Sequence, residues 1–155
     1  MIAGIAKSYL GIDDVSDVIQ EVFVRVYKGI KKFRGDSSLS TWIYRIAVNV
    51  CKDMMGKYKK HKEILTDFDS EEVPYIEPKS SSSPVESMIS ELTLEALEGA
   101  MDKLSEEDRL LIKLRDIEGL SYDEIAHIIN KPVGTVKSRL HYARKRLSEL
   151  IKDLI

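Results

Sequence analysis

Residues 131–147 carry six basic side chains and no acidic one, arranged on a helical period. Placed about 100° apart, Val136, Leu140, Ala143 and Leu147 fall on one side, and Ile151 extends that line. Lys137, Ser138, His141, Tyr142 and Lys145 fall opposite, with Arg139, Arg144 and Arg146 on the shoulders. An apolar side that docks, backed by an outward side rich in cations and hydrogen-bond donors, suits the major groove of DNA. Donors in the first half reach base edges, and flanking guanidinium and ammonium groups hold phosphates. The free amides of the first turn and the Thr135 hydroxyl suit a phosphate as well. A solvated surface helix is the alternative reading of the same charges.

A second basic face lies earlier. On a helix expected over 40–64, Ile43, Ile46, Ala47, Val50 and Met54 form the apolar stripe. Arg45, Asn49, Lys52 and Lys59 collect on the other side, with Trp42 and Lys60 at its edge. Other chemistries find no support. Cys51 is the only cysteine, and His61, His127 and His141 have no carboxylate or cysteine cluster at ligand spacing. No nucleophile has a placed base, and no glycine-rich phosphate loop is present. The reading is therefore of a binding protein with no metal, no cofactor and no small-molecule substrate, rather than an enzyme.

The elements that must position these faces read as helices throughout, with no sustained period-two alternation. Asp13 and Asp14 are cap candidates for a helix to about Lys32, with Val15, Val18, Val22, Phe23, Val26 and Ile30 as its core side. In the second half a helix over 87–101 precedes one opened by Ser105 with Asp108, whose inner side is Leu110, Leu111, Leu114 and Ile117. Gly119 fits a left-handed stop. Ser121 with Glu124 then caps a short helix that turns Ile125, Ala126 and Ile129 inward. Residues 130–134 are a tight turn containing Pro132, and the last helix spans 135–151. A short capped helix, a tight turn and a longer basic helix make a helix-turn-helix.

The net charge of −2 conceals segregation: residues 25–62 sum to +9, 63–108 to −12 and 131–147 to +6. Two separated basic stretches suggest two contacts with a polyanion. Between them, residues 67–86 hold three of the four prolines and four consecutive serines, which cannot bury enough surface to fold alone. The expected fold class is all-α. Two small helical domains, 1–66 and 87–155, are joined by a flexible acidic linker, and the second is a four-helix, winged-helix-like helix-turn-helix domain. No run is long and apolar enough for a membrane span and no secretory signal is legible, so a cytoplasmic address is expected.

Two stretches carry a family likeness, DVIQEVFVRVYKGIKKFRGDSSLSTWIYRIAVNVCKD from Asp17 and LSEEDRLLIKLRDIEGLSYDEIAHIINKPVGTVKSRLHYARKRL from Leu104. The chain resembles bacterial RNA polymerase sigma factors of the sigma-70 family, in the extracytoplasmic-function group. The resemblance implies that Asp17, Gln20 and Glu21 meet the clamp coiled coil of core RNA polymerase, while the second domain lies near its flap region. It implies that the loop of Arg34, Gly35, Asp36, Ser37 and Ser38 receives a base flipped from the minus-ten element. The strand would then continue along Arg45, Asn49, Lys52 and Lys59. Trp42 matches a position at the point of melting, though its place between polar and apolar sides equally fits packing. In the second domain Thr135, Lys137, Ser138, His141 and Tyr142 would approach the minus-thirty-five element, with Arg139, Arg144 and Lys145 on phosphates. An anti-sigma factor is a further partner that the resemblance implies. Relatives carry a longer helix ahead of IAKSYLGIDD, so apolar surface left open near residues 1–10 is a further expectation. The competing reading is a stand-alone dimeric helix-turn-helix regulator.

Overall fold

The structure, a computed structural model, describes residues 1–65 and 86–154, with side chains placed for 1–61 and 93–153. Seven α-helices follow one another among the described residues: α1 (Ile2–Leu10), α2 (Ser16–Gly29), α3 (Leu39–Leu65), α4 (Glu86–Asp102), α5 (Glu106–Ile112), α6 (Tyr122–Ile129) and α7 (Val133–Leu154). The fold is all-helical, as the periodicity predicts. The linker expected over 67–86 lies outside the described residues except for Glu86, which opens α4.

Helix boundaries follow local chemistry. Asp14 Oδ1 accepts hydrogen bonds from the Ser16 amide at 3.1 Å and its hydroxyl at 2.7 Å, so α2 begins at Ser16. This polar contact holds the Asp14 carboxyl below its ordinary pKa. Ser105 Oγ accepts from the Asp108 amide at 3.2 Å, and Ser121 Oγ from the Glu124 amide at 3.1 Å; each satisfies a donor that the first helical turn leaves free. Gly119 closes its segment in the left-handed region, with φ of 73°.

The first half packs α2 and α1 on α3, with Val15, Val18 and Val22 buried as expected. Phe23 and Ile30, expected in the same core, are instead 62% and 41% exposed. Their spacing is helical, but Phe23 lies beside the Val15–Val18–Val22 line of α2 and Ile30 opens the 3-10 turn Ile30–Lys32 after it, and among the described residues both are left open to solvent. Ile5, Ala6 and Tyr9 of α1, which packs on α3 and α5, are buried, so that part of its apolar surface is not open, while Ile2, Ala3 and Leu10 are partly buried and Met1 is exposed.

In the second half, Leu110, Leu111, Leu114, Ile125 and Ala126 meet Val136, Leu140 and Ala143 of α7 in the helix-turn-helix core. Ile117, expected on that inner side, is 59% exposed. The cause is a π-helical turn, Lys113–Ile117, in which the Glu118 amide donates to the Lys113 carbonyl at 2.9 Å. The widened turn shifts the register and swings Ile117 outward.

α3 buries more than one stripe. Besides Ala47 and Val50, Tyr44, Val48 and Cys51 are also covered, because α3 packs on α6 as well as on α1 and α2. Burial pushes the Cys51 thiol up to about 11.

Candidate nucleic-acid interface

The tight turn before α7 is built on Asn130, whose φ of 54° places it in the left-handed region and ends α6. Asn tolerates that conformation better than most residues. The Val136 amide then donates to the Pro132 carbonyl at 3.1 Å, and α7 is under way two residues earlier than the sequence pattern implies.

α7 sorts its polar residues into two groups. Lys137, Ser138, His141, Tyr142 and Lys145 are exposed, with Thr135 half-buried at the first turn. The His141 and Tyr142 rings meet edge-on at 5.5 Å, and the Ser138 hydroxyl donates back to the Thr135 carbonyl at 3.1 Å. The arginines turn sideways. Arg139 pairs with Glu107 and Arg144 with Asp116, and Arg146 lies 3.9 Å from Asp108. The Arg144 pair is bidentate, and its carboxylate raises the guanidinium's already high pKa. These pairs are solvent-exposed, so each stabilises by less than about 1 kcal/mol and exchanges readily for a phosphate.

One residue of this surface is not singled out by the sequence pattern. Tyr122, the first residue of α6, has the Arg115 guanidinium 4.6 Å and the Lys137 ammonium 5.6 Å from its ring centre. Arg115 is held there by donating to the Leu120 carbonyl at 2.7 Å. The legible signal is an aromatic at the first turn of a capped helix, off the inward line of Ile125, Ala126 and Ile129.

On α3, Arg45, Asn49, Lys52 and Lys59 share one side. Asn49 and Lys59 are exposed, Arg45 and Lys52 half-buried. The preceding loop presents Arg34, Gly35 and Asp36 to solvent, Gly35 with φ of 75°. Ser38 is committed to the fold, since its Oγ accepts from the Thr41 amide at 3.1 Å and donates to the Thr41 hydroxyl at 2.8 Å, capping α3. The Ser37 hydroxyl donates to the Ser38 carbonyl at 3.2 Å. Trp42 packs under this loop, its ring centre 5.2 Å from that of Phe33 and its edge against Gly29.

On α2, Asp17 and Gln20 are exposed. Glu21 is tied by a 2.8 Å bond to Arg25, which also reaches Asp53 of α3 at 2.8 Å. Phe23 and Tyr27 stand exposed on the same helix.

Comparison with known proteins converges on one family. Residues 1–61 match the family model for sigma-70 region 2, and residues 94–147 that for sigma-70 region 4. The chain is 37% identical over 158 residues to the ECF RNA polymerase sigma-E factor of Escherichia coli (strain K12), covering 99% of this chain and 82% of the relative. The Haemophilus influenzae sigma-E factor is 35% identical, covering 99% and 83%. Among solved structures, the sigma factor RpoE in complex with the anti-sigma factor NepR from Bartonella quintana superposes with a TM-score of 0.76 at 28% identity, covering 97% of this chain and 89% of that one. CnrH in complex with the cytosolic domain of CnrY gives 0.65 at 27% identity, covering 98% and 80%. The capped helix-turn-helix and the second basic helix are thus regions 4 and 2 of one architecture, and the chain belongs to the sigma-70 family of RNA polymerase sigma factors, in its extracytoplasmic-function group.

Proposed function

We propose that this sigma factor brings core RNA polymerase to promoters with a minus-ten and a minus-thirty-five element and favours the open duplex by binding alone, without catalysing a reaction. One observation carries the reading. Two cationic faces, a half-buried to exposed one on α3 and a largely exposed one on α7, stand in the two parts of the chain that match regions 2 and 4. The working units are residues 1–66 and 87–155, with 67–86 as the tether.

In the second unit Lys137, Ser138, His141 and Tyr142 face base edges. Thr135, Arg139, Arg144 and Lys145 hold phosphates, the two arginines after leaving Glu107 and Asp116. In the first unit the loop of Arg34, Gly35, Asp36, Ser37 and Ser38 takes a flipped base, and Arg45, Asn49, Lys52 and Lys59 follow the strand. Trp42 supports this surface by packing against Phe33 and Gly29. Extruding a base costs a few kcal/mol, and stacking or pocket contacts return about 1–3 kcal/mol per base, so trapped bases shift the duplex toward opening. Asp17, Gln20 and Glu21 meet the polymerase clamp coiled coil, and the second unit lies by the flap. An anti-sigma factor is the expected regulator, since two structural relatives are seen with one or with a cytosolic partner domain. The place of action is the cytoplasm, beside the polymerase.

The test mixes the chain with sigma-free core polymerase and a promoter carrying both elements. Formation of a complex that initiates at that promoter is expected. Specific DNA binding by the chain as a dimer, with no polymerase complex and no initiation, would overturn the reading.

A further inference from the structure

α7 exposes a pair of aromatic rings in the middle of its cationic side. Tyr142 is 68% exposed, and its ring meets that of His141 edge-on with the centres 5.5 Å apart. Placed about 100° apart, the two residues fall on either side of the line through Ser138 and Lys145. Both therefore point away from the buried side formed by Val136, Leu140 and Ala143. Apolar ring surface held in water gains by being covered when a partner binds.

The same outward line carries no guanidinium. The commonest specific contact in the major groove, a bidentate arginine on guanine O6 and N7, needs one there. Arg139, Arg144 and Arg146 turn instead to Glu107, Asp116 and Asp108. Lys137, at the edge of the outward side, has its ammonium 5.6 Å from the ring centre of Tyr122 on α6. The Ser138 hydroxyl spends its proton on the Thr135 carbonyl at 3.1 Å, which leaves its oxygen toward the groove as an acceptor. An acceptor flanked by two rings matches an A·T pair, which offers the adenine N6 amino group and the thymine C5 methyl.

We propose that the His141–Tyr142 pair reads thymine methyl groups, so that the minus-thirty-five element of this chain carries A·T pairs at two neighbouring positions opposite the rings. Successive base pairs are about 3.4 Å apart, and ring centres 5.5 Å apart reach two of them. Each methyl leaves water against one ring, and a cytosine or guanine at that place offers the ring no apolar group. This specificity rests on the function proposed above, in which α7 meets the minus-thirty-five element.

Duplex promoters randomised over the minus-thirty-five element are selected by the full chain with core polymerase and, in parallel, by the full chain alone. The enriched element is then remade with deoxyuridine at one thymine at a time, which removes the methyl and keeps every hydrogen-bonding group. Two neighbouring positions are each expected to lose about fourfold in affinity, the worth of one buried methyl. His141→Ala and Tyr142→Ala are each expected to abolish the deoxyuridine effect at one of the two positions, and Tyr142→Phe, which keeps the ring, to retain both. The two side chains are exposed, so these variants keep the fold. An enriched element without neighbouring A·T pairs, binding indifferent to deoxyuridine, or an effect that survives both alanine variants overturns the inference. Loss of the effect in Tyr142→Phe overturns it too, since the hydroxyl and not the ring would then be the reader. Absence of any polymerase complex sinks the proposed function instead, and the element selected by the chain alone then decides the thymine reading. No enrichment in either selection overturns it as well.

Discussion

Arg139 of α7 is bonded to Glu107 of α5 at 2.5 Å, so a guanidinium on the shoulder of α7 holds that helix to its neighbour. Arg144 and Arg146 make the same sideways turn toward Asp116 and Asp108. The acidic start of α5, together with Asp116 of the π-helical turn after it, thus screens one flank of α7 and leaves Lys137, His141, Tyr142 and Lys145 as its unobstructed front.

Removing the screen should strengthen DNA binding. Glu107→Ala releases Arg139 for a phosphate and is expected to raise affinity for promoter DNA in the polymerase complex two- to fivefold, about 0.5–1 kcal/mol. The melting temperature should change little, because the pair is solvent-exposed. Titration at several salt concentrations checks it; a gain should come with a steeper salt dependence.

Base-facing and phosphate-holding side chains of α7 should differ in kind. Lys145→Ala should weaken all promoters alike and reduce the salt slope by about one, the behaviour of a phosphate contact. His141→Ala or Ser138→Ala should relax the preference at a single base pair by about 1–3 kcal/mol. Binding to a set of single-substitution promoters separates these outcomes.

Trp42 is wedged between Phe33 and Gly29, and a Cβ added at Gly29 would lie 3.1 Å from the indole Cζ2. Gly29→Ala should therefore displace the ring and lower stability by about 1 kcal/mol. Trp42→Ala should lower it by about 2 kcal/mol, below the range for fully buried aromatics because this ring is half-exposed. Trp42→Phe should recover most of that loss in thermal unfolding. As the only tryptophan, its fluorescence reports the loop directly.

Burial raises the Cys51 thiol from its ordinary 9.0 to about 11. The folded state prefers the neutral thiol, so its contribution is intact below about pH 9 and declines as pH rises through 11, by about 2 kcal/mol at that point. Tyr44, raised to about 12 by burial and by the Glu118 carboxylate, acts in the same direction at higher pH. Denaturant unfolding at pH 8 and 11 should show a smaller loss in Cys51→Ala than in the parent. A thiol reagent at pH 8 should react with Cys51 only as fast as the chain opens.

The local grammar of this protein was legible residue by residue. Ser105, Ser121 and Gly119 marked helix ends because capping and left-handed stops depend on a few neighbouring atoms. Val18 and Val22, and Val136 with Leu140, declared their inward sides because helical spacing is a property of the chain itself. The basic faces of α3 and α7 followed from the same spacing. What periodicity could not decide was which further sides would find a partner. Phe23 and Ile30 continue an apolar pattern yet face solvent, while Tyr44, Val48 and Cys51 become core because α3 meets α6 from the other half of the chain. Ile117 left its expected side through one widened turn. The pairing of Arg139 with Glu107, and of Tyr44 with Glu118 across 74 positions of chain, belongs to the same class. Such contacts depend on what tertiary packing places opposite a side chain, and only the folded chain supplies that neighbour.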